Sequence, residues 1–206
     1  MTDQAEPLVA LPARGPRNRV RREDILAVAA ELFAAKGVAS TTVRDIGAAA
    51  GVHSGSLYHY FPSKEAIAVE LLRTFVSNLG DHFAAIAALP EPPLQRLRTM
   101  VHTTLTIINE HPHETRMFRQ DYQYLQDRGV LGGLDPDLPV LRTHWVRVLD
   151  EGMADGSLRS DIPVDVVSRV IRDTLWATIS WSRSAQVPTA QLGDYLVDMF
   201  LHGVAT

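Results

Sequence analysis

The segment Val52-His53-Ser54-Gly55-Ser56-Leu57-Tyr58-His59-Tyr60-Phe61 concentrates hydroxyls, imidazoles and phenols in one short stretch. Such groups donate and accept hydrogen bonds at short range, which suits phosphate oxygens and the base edges of a DNA major groove. Covalent chemistry is a poorer fit. Gly51-Val52-His53-Ser54-Gly55 lacks the residue order of a nucleophile elbow and the strand that precedes one. Leu57 and Phe61 stand four positions apart and anchor one side of a helix over about 54–61. His53, Ser54, Gly55, Ser56, Tyr58, His59 and Tyr60 are left on the outer side.

A helix this short needs neighbours to hold it. The preceding residues supply one. Thr42 suits an N-cap, and Asp45 three positions later completes a capping-box variant. Val43, Ile46 and Ala50 form the buried stripe, Gly51 ends the helix in a left-handed residue, and Val52 plugs the turn. Two short helices at a sharp turn are a helix-turn-helix.

Around it the chain reads as helix throughout. A first helix is expected over Arg22 to Lys36, with Glu23 and Asp24 in its first turn and Ile25, Leu26, Ala29, Leu32 and Phe33 as its inner stripe. Pro62-Ser63 stops the recognition segment, and Ser63 caps a long helix to about Ala88, ended by Pro90, Pro92 and Pro93. Further helical spacing covers about 94–110, 114–126, 139–154, 163–184 and 189–201. Strand alternation is absent, so the expected fold is all-α. It comprises a flexible arm over 1–20, an N-terminal three-helix helix-turn-helix module over 21–66, and a larger C-terminal helical bundle over 67–206. The arm's end and the next two positions carry Arg14, Arg17, Arg19, Arg21 and Arg22, either a DNA-contacting extension or a solvated tail.

A chain of 206 residues has ample core for these two parts. It has no cysteine, no 18-residue apolar run and no signal-peptide pattern, which points to a protein of the cytoplasm without disulfides or a membrane span. The net charge of −4 is unevenly divided. Residues 1–64 hold 8 Lys/Arg against 6 Asp/Glu, a balance of +2, and the remainder holds 12 against 18, a balance of −6. The positive share falls on the helix-turn-helix, where phosphates would be met.

At these residues a family resemblance is plain. Val52 through Glu65, with Ala30-Glu31-Leu32-Phe33-Ala34-Ala35-Lys36-Gly37 upstream, resembles the DNA-binding signature of TetR-type transcriptional repressors. The resemblance implies that His53, Ser54, Gly55, Ser56 and His59 approach base edges. It implies phosphate contacts from Thr42, Arg44, Tyr58, Tyr60 and Lys64. The partner would be a double-stranded operator, read by a symmetric homodimer because one module spans few base pairs. The competing reading is a helical acyl-binding or scaffold protein that never touches DNA.

The C-terminal half holds a second set. In 163–184, Val166, Val167, Val170, Ile171, Leu175 and Ile179 form an apolar band, and Leu192, Leu196, Met199 and Phe200 follow. Helices at about 163–184 and 189–204 are therefore expected to pair with their mates across a four-helix dimer interface. Arg172 and Trp176 are four apart on one face with Arg169 and Ser180. An arginine beside an indole can hold a phosphate or carboxylate while the ring stacks on a flat group. Equally, Arg172 can pair with Asp173 or Asp165 of a partner subunit, with Trp176 as core. Arg119-Gln120-Asp121, His144 through Leu149, and Arg172 through Trp176 resemble an actinobacterial TetR branch that represses steroid-ring catabolism and is released by a CoA thioester of a ring fragment. That resemblance implies Arg172 and Trp176 as ligand contacts and a small-molecule effector of the CoA-thioester class, with no other cofactor. Met117, Phe118, Tyr122, Tyr124 and Trp145 are further candidates for the ligand wall, with plain core packing as their alternative. The helix starting at Ser63 joins both halves and is the expected lever between them.

No enzyme reading competes. His111-Pro112-His113-Glu114 superficially resembles a metal cluster, but its histidines flank a proline at a helix boundary, a poor geometry for one ion. Gly47 and Gly51 match Gly-x-x-x-Gly without the membrane-length segment that gives that pattern meaning. No metal site and no catalytic residue are expected.

Overall fold

The structure, a computed structural model, describes residues 22–133, 137–185 and 187–204. The expected basic arm at 1–20 lies outside them. The described residues form nine α-helices and one 3-10 turn, Leu131–Gly133, with no strand. The helices are α1 Arg22–Lys36, α2 Val43–Ala50, α3 Ser54–Leu57, α4 Lys64–Ala87, α5 Pro93–Glu110, α6 Pro112–Asp127, α7 Asp137–Ala154, α8 Val164–Ala185 and α9 Thr189–Val204.

In the N-terminal module, Ile25, Ala29 and Phe33 of α1 bury the expected stripe against Ile46 of α2, Leu57 of α3 and Phe61. The α2 start is fixed by a reciprocal cap. The Asp45 N–H donates to Thr42 Oγ1 at 3.1 Å, and the Thr42 N–H donates to Asp45 Oδ2 at 2.9 Å. Gly51 ends α2 at φ 70, a left-handed conformation that a side chain would strain. Its N–H donates to Ala48 O, and Val52 N–H donates to Gly47 O at 2.9 Å, satisfying carbonyls that the helix end would orphan.

The recognition helix departs from expectation. Regular α-helix covers Ser54–Leu57 only, and residues 58–60 continue as turns bonded to Ser56 and Leu57 carbonyls. Pro62 stops the segment at Phe61, whose N–H still donates to the Leu57 carbonyl at 2.9 Å. Ser63 accepts from the Ala66 N–H at 3.1 Å and starts α4 as expected.

The long helix α4 runs without a break across the 66/67 division and packs along α1, α5, α6 and α7. Ile67, Leu72, Phe75, Val76, Leu79 and Phe83 form its buried edge, and Phe83 meets Trp145 of α7 edge-on at 5.5 Å between centroids. Its far end is held by a buried arginine: Arg96 Nη1 donates to Ala87 O at 2.9 Å and Arg96 pairs with Glu151 of α7. That bond serves a terminal carbonyl of α4 and brings the cation's counterion from a third helix.

The expected apolar band of α8 is in fact two faces. Val167, Ile171 and Leu175 enter the core, whereas Val166 and Val170 stay half-exposed. On α9, Leu196 and Val197 are buried while Tyr195 and Met199 face outward. The helical repeat is the reason: positions three and four apart share a face, and their immediate neighbours do not. Ile179 and Ser180 have side chains outside the described set.

Candidate functional site

Two sites emerge, one on each half. On the reading module, buried Leu57 turns its neighbours outward. Tyr58 is 59% exposed, and Arg44, Thr42, His53, Gly55, His59 and Tyr60 are also exposed, with Ser54 and Ser56 half-buried. The N-termini of α2 and α4 converge beside Tyr58 in a shallow depression lined by Thr42, Val43, Ser63 and Lys64. Two helix starts facing one place favour an anion there. Thr42 Oγ1 accepts the Asp45 N–H at the cap. Asp45 is held well below the usual carboxylate range by its bond from Lys36, at 2.9 Å, and by the Thr42 backbone and side chain.

Lys64 is a correction. Its ammonium donates to the carbonyls of Val38, Ala39 and Thr41 at 2.7, 2.9 and 2.7 Å. An ammonium has three protons, so the expected phosphate clamp is instead a staple that ties α4 to the α1–α2 turn. Arg22 is likewise committed: it pairs with Glu70 and lies 4.4 Å over the Phe61 ring, closing α1 onto α4. The other four arginines grouped with it lie outside the described residues.

The C-terminal half encloses a cavity of about 740 Å³. Its inner wall is apolar: Phe83 from α4, Leu141 and Trp145 from α7, Leu175 from α8. Its aromatic side is Phe118 stacked on Trp176, centroids 5.2 Å apart at 27°, with Tyr122 beside Phe118 at 5.7 Å. Its polar side carries Arg119, Gln123, Arg169, Arg172 and Asp173. Arg119 Nη1 donates to the Trp176 carbonyl at 3.1 Å, fixing α6 against α8.

Arg172 is half-buried and its Nε donates to Ser168 O of its own helix at 3.2 Å. No carboxylate pairs with its terminal nitrogens among the described residues, and Asp165, one acid considered as its counterion, is paired with Arg142. Burial pulls the Arg172 guanidinium below its ordinary value, opposed by Asp173 and reinforced by Arg142 and Arg169. A partly desolvated cation without a bound counterion is a ready seat for an anionic group.

Five expected ligand-wall residues therefore share the cavity: Phe118, Tyr122, Trp145, Arg172 and Trp176. Two do not. Met117 is wholly buried core, and Tyr124 lies on another face of α6, donating to Glu65 at 3.3 Å under the Arg128 guanidinium. Helical geometry separates them: 118 and 122 are four apart, while 117 and 124 point elsewhere. Sequence reading missed Arg119, Gln123, Thr104 and Phe83 as lining residues; the first two had a signal in being four apart on one face of α6. The described residues contain no group of three metal-ligating side chains, and no helix among them is long and apolar enough to cross a membrane.

Comparison with known proteins places this geometry. Residues 25–71 match the family described as bacterial regulatory proteins of the tetR family, and residues 90–204 match a tetracyclin repressor-like C-terminal domain. The chain is 36% identical over 185 residues to the HTH-type transcriptional repressor KstR2 of Mycobacterium tuberculosis, covering 89% of this chain and 92% of that protein. The KstR2 of Rhodococcus jostii is 35% identical over 187 residues, 90% and 92% of the two chains. The solved ketosteroid transcriptional regulator KstR2 of Mycobacterium tuberculosis superposes with a TM-score of 0.83 over 92% of this chain and 97% of that one. These relatives are regulators and not enzymes, and they set aside the reading of a helical protein that never touches DNA. From the signature at 25–71 through the effector half, the chain belongs to the TetR family of bacterial transcriptional repressors.

Proposed function

We propose that this repressor is released from its operator by an amphipathic anion, an apolar ring or acyl group joined to coenzyme A, bound in the cavity with its charged part at Arg172. The observation that carries this reading is the pairing of a half-buried Arg172, with no carboxylate bonded to its terminal nitrogens among the described residues, with the stacked Phe118–Trp176 wall of the same cavity. A flat hydrophobic group gains by stacking and leaving water, and an anion gains by meeting the guanidinium. The similarity to the ketosteroid transcriptional regulator KstR2 of Mycobacterium tuberculosis favours a ring-derived acyl group.

DNA is read by the unit 21–66 through the exposed set around α3: His53, Ser54, Gly55, Ser56 and His59 toward bases, and Thr42, Arg44, Tyr58 and Tyr60 toward phosphates. The unit 67–206 binds effector and forms the dimer through α8 and α9, in the cytoplasm. The outward strips Val166–Val170 and Tyr195–Met199 support that interface, since water-facing side chains of this size are otherwise costly.

The test is operator release. A duplex selected by the protein from a randomised pool is titrated with the CoA thioester of a fused-ring carboxylic acid, with the free acid and free CoA as controls. Release by the thioester alone is expected, and Arg172→Ala should bind the duplex normally while needing about 10- to 100-fold more thioester. Equal potency of the free acid would overturn the CoA assignment. Loss of dimer in Arg172→Ala would make Arg172 an interface residue instead.

A further inference from the structure

Helix α6 carries the cavity on one face and the DNA-reading module on another. Phe118, Arg119 and Tyr122 line the cavity. The intervening stripe Met117-Asp121-Leu125 is buried, 0%, 4% and 0% exposed. Asp121 is the polar member of that stripe, and its Oδ1 accepts the Val38 N–H at 2.9 Å across 83 residues of sequence. Its other oxygen, Oδ2, is buried without a hydrogen-bond partner. A buried carboxylate oxygen left unpaired is costly, so the site is held by its surroundings rather than by its own preference.

The contact falls on the five residues Gly37–Thr41 that connect α1 to α2. That turn is held from three sides. Asp121 takes the Val38 N–H, Lys64 takes the carbonyls of Val38, Ala39 and Thr41, and Thr41 Oγ1 donates to Gly37 O at 2.8 Å. Gly37 sits at φ +82, a conformation that strains any side chain, and a Cβ there would also press on Asp121 Oδ1 at 3.3 Å. The turn leads directly into Thr42, the cap of α2, and α2 carries α3. Fixing Val38 therefore fixes the pitch of the recognition segment. Lys64 belongs to α4, which runs through both halves, whereas Asp121 is the grip on this turn supplied by α6.

We propose that Asp121 is a positioning residue for operator binding: it holds the α1–α2 turn, and with it the reading head, from the same helix that walls the effector cavity. Filling the cavity moves Phe118 and Tyr122, and Asp121, on the intervening stripe, moves with them and slackens the Val38 bond. The coupling half of this inference rests on the effector reading above. The positioning half does not.

The experiment measures affinity of the full-length chain for the selected duplex, with and without the fused-ring thioester, in wild type, Asp121→Ala and Asp121→Asn. Asn keeps the oxygen acceptor at nearly the same place and removes the charge. Expected is about a tenfold loss of operator affinity in Asp121→Ala, with the thioester-induced weakening shrinking to less than about twofold. Asn should restore both to within about twofold of wild type. A merely structural role would lower thermal stability in both variants without this rescue. Amide exchange at Val38 gives a second reading that needs no variant: it should quicken when the thioester saturates wild type. Unchanged Val38 protection while DNA is released would overturn the coupling, and equal operator affinity in wild type and Asp121→Ala would overturn the positioning. If the thioester leaves wild type on its DNA, the effector reading fails. The positioning claim is then decided by the Ala and Asn affinities alone. If the Ala variant does not fold, the decision passes to the Asn affinity, expected within about twofold of wild type, and to Val38 exchange.

Discussion

Two cations half-withdrawn from water show how differently the halves of this protein are built. Lys64, in the reading module, has every ammonium proton placed on a carbonyl. Arg172, in the cavity half, has one bond to its own helix and, among the described residues, terminal nitrogens without an acid. The contrast extends beyond the pair. Around α2 the polar groups close on one another over three or four residues, as Thr42 does with Asp45. Around the cavity they reach across the fold, as Arg119 does to the Trp176 carbonyl 57 residues away, or leave terminal nitrogens without an acid among the described residues, as at Arg172. A surface that must present one rigid shape to DNA gains from local closure. A cavity that must bind and release gains from groups satisfied only when occupied, because an interaction made in both states shifts no equilibrium.

The comparison breaks most readily at Leu57. Its side chain is 2% exposed and anchors α3, so Leu57→Ala should cost about 2–5 kcal/mol and abolish operator binding. Thioester binding, followed by Trp fluorescence, should persist; its loss would show that the halves fold as a single cooperative unit. Next is Thr42→Ala. Losing the cap should destabilise by about 1 kcal/mol, seen as a lowered melting temperature with effector affinity unchanged. Arg44→Ala sharpens the picture without touching stability: the slope of log affinity against log salt should flatten by about one unit. An unaltered slope would remove Arg44 from the phosphate contacts.

The smallest effect expected is in pH. Burial, aided by Arg147, depresses His144 below its ordinary 6.5. The unfolded chain then binds more protons than the folded one just below that value. The contribution is therefore complete above pH 6.5 and lost as pH falls through the folded value. His144→Gln should flatten this part of the stability profile measured by urea melts. An unchanged profile would mean that His144 takes up its proton at the same pH folded and unfolded.

Legibility followed the same division. The bounds of α1, the capping box at Thr42, the glycine stop at Gly51 and the Ser63 start of α4 could all be read because each depends on neighbours within four residues. The recognition segment was read as one helix to Phe61, whereas its last turn closes on the Ser56 and Leu57 carbonyls outside regular α-helix. In the cavity, Phe118, Tyr122, Arg172 and Trp176 were reachable through i, i+4 spacing. Tyr124 and Met117 were misassigned because apolar and aromatic character does not say which neighbour a helix face meets. Lys64 was misread for a related reason. A lysine at a helix start beside exposed hydroxyls has the composition of a phosphate contact, and nothing local reveals three carbonyls delivered from residues 38–41.

From residue order alone came the helical elements, the capped ends of α2 and α4 and the signature of the reading head, because capping and 3.6-residue periodicity act over a few positions. The tertiary fold alone decided which side of α6 faces the cavity, which of two adjacent valines on α8 enters the core, and that Asp121 would meet Val38. Contacts 23 to 83 residues apart depend on how whole helices pack, and packing is a property of the assembled core that no short window of sequence contains.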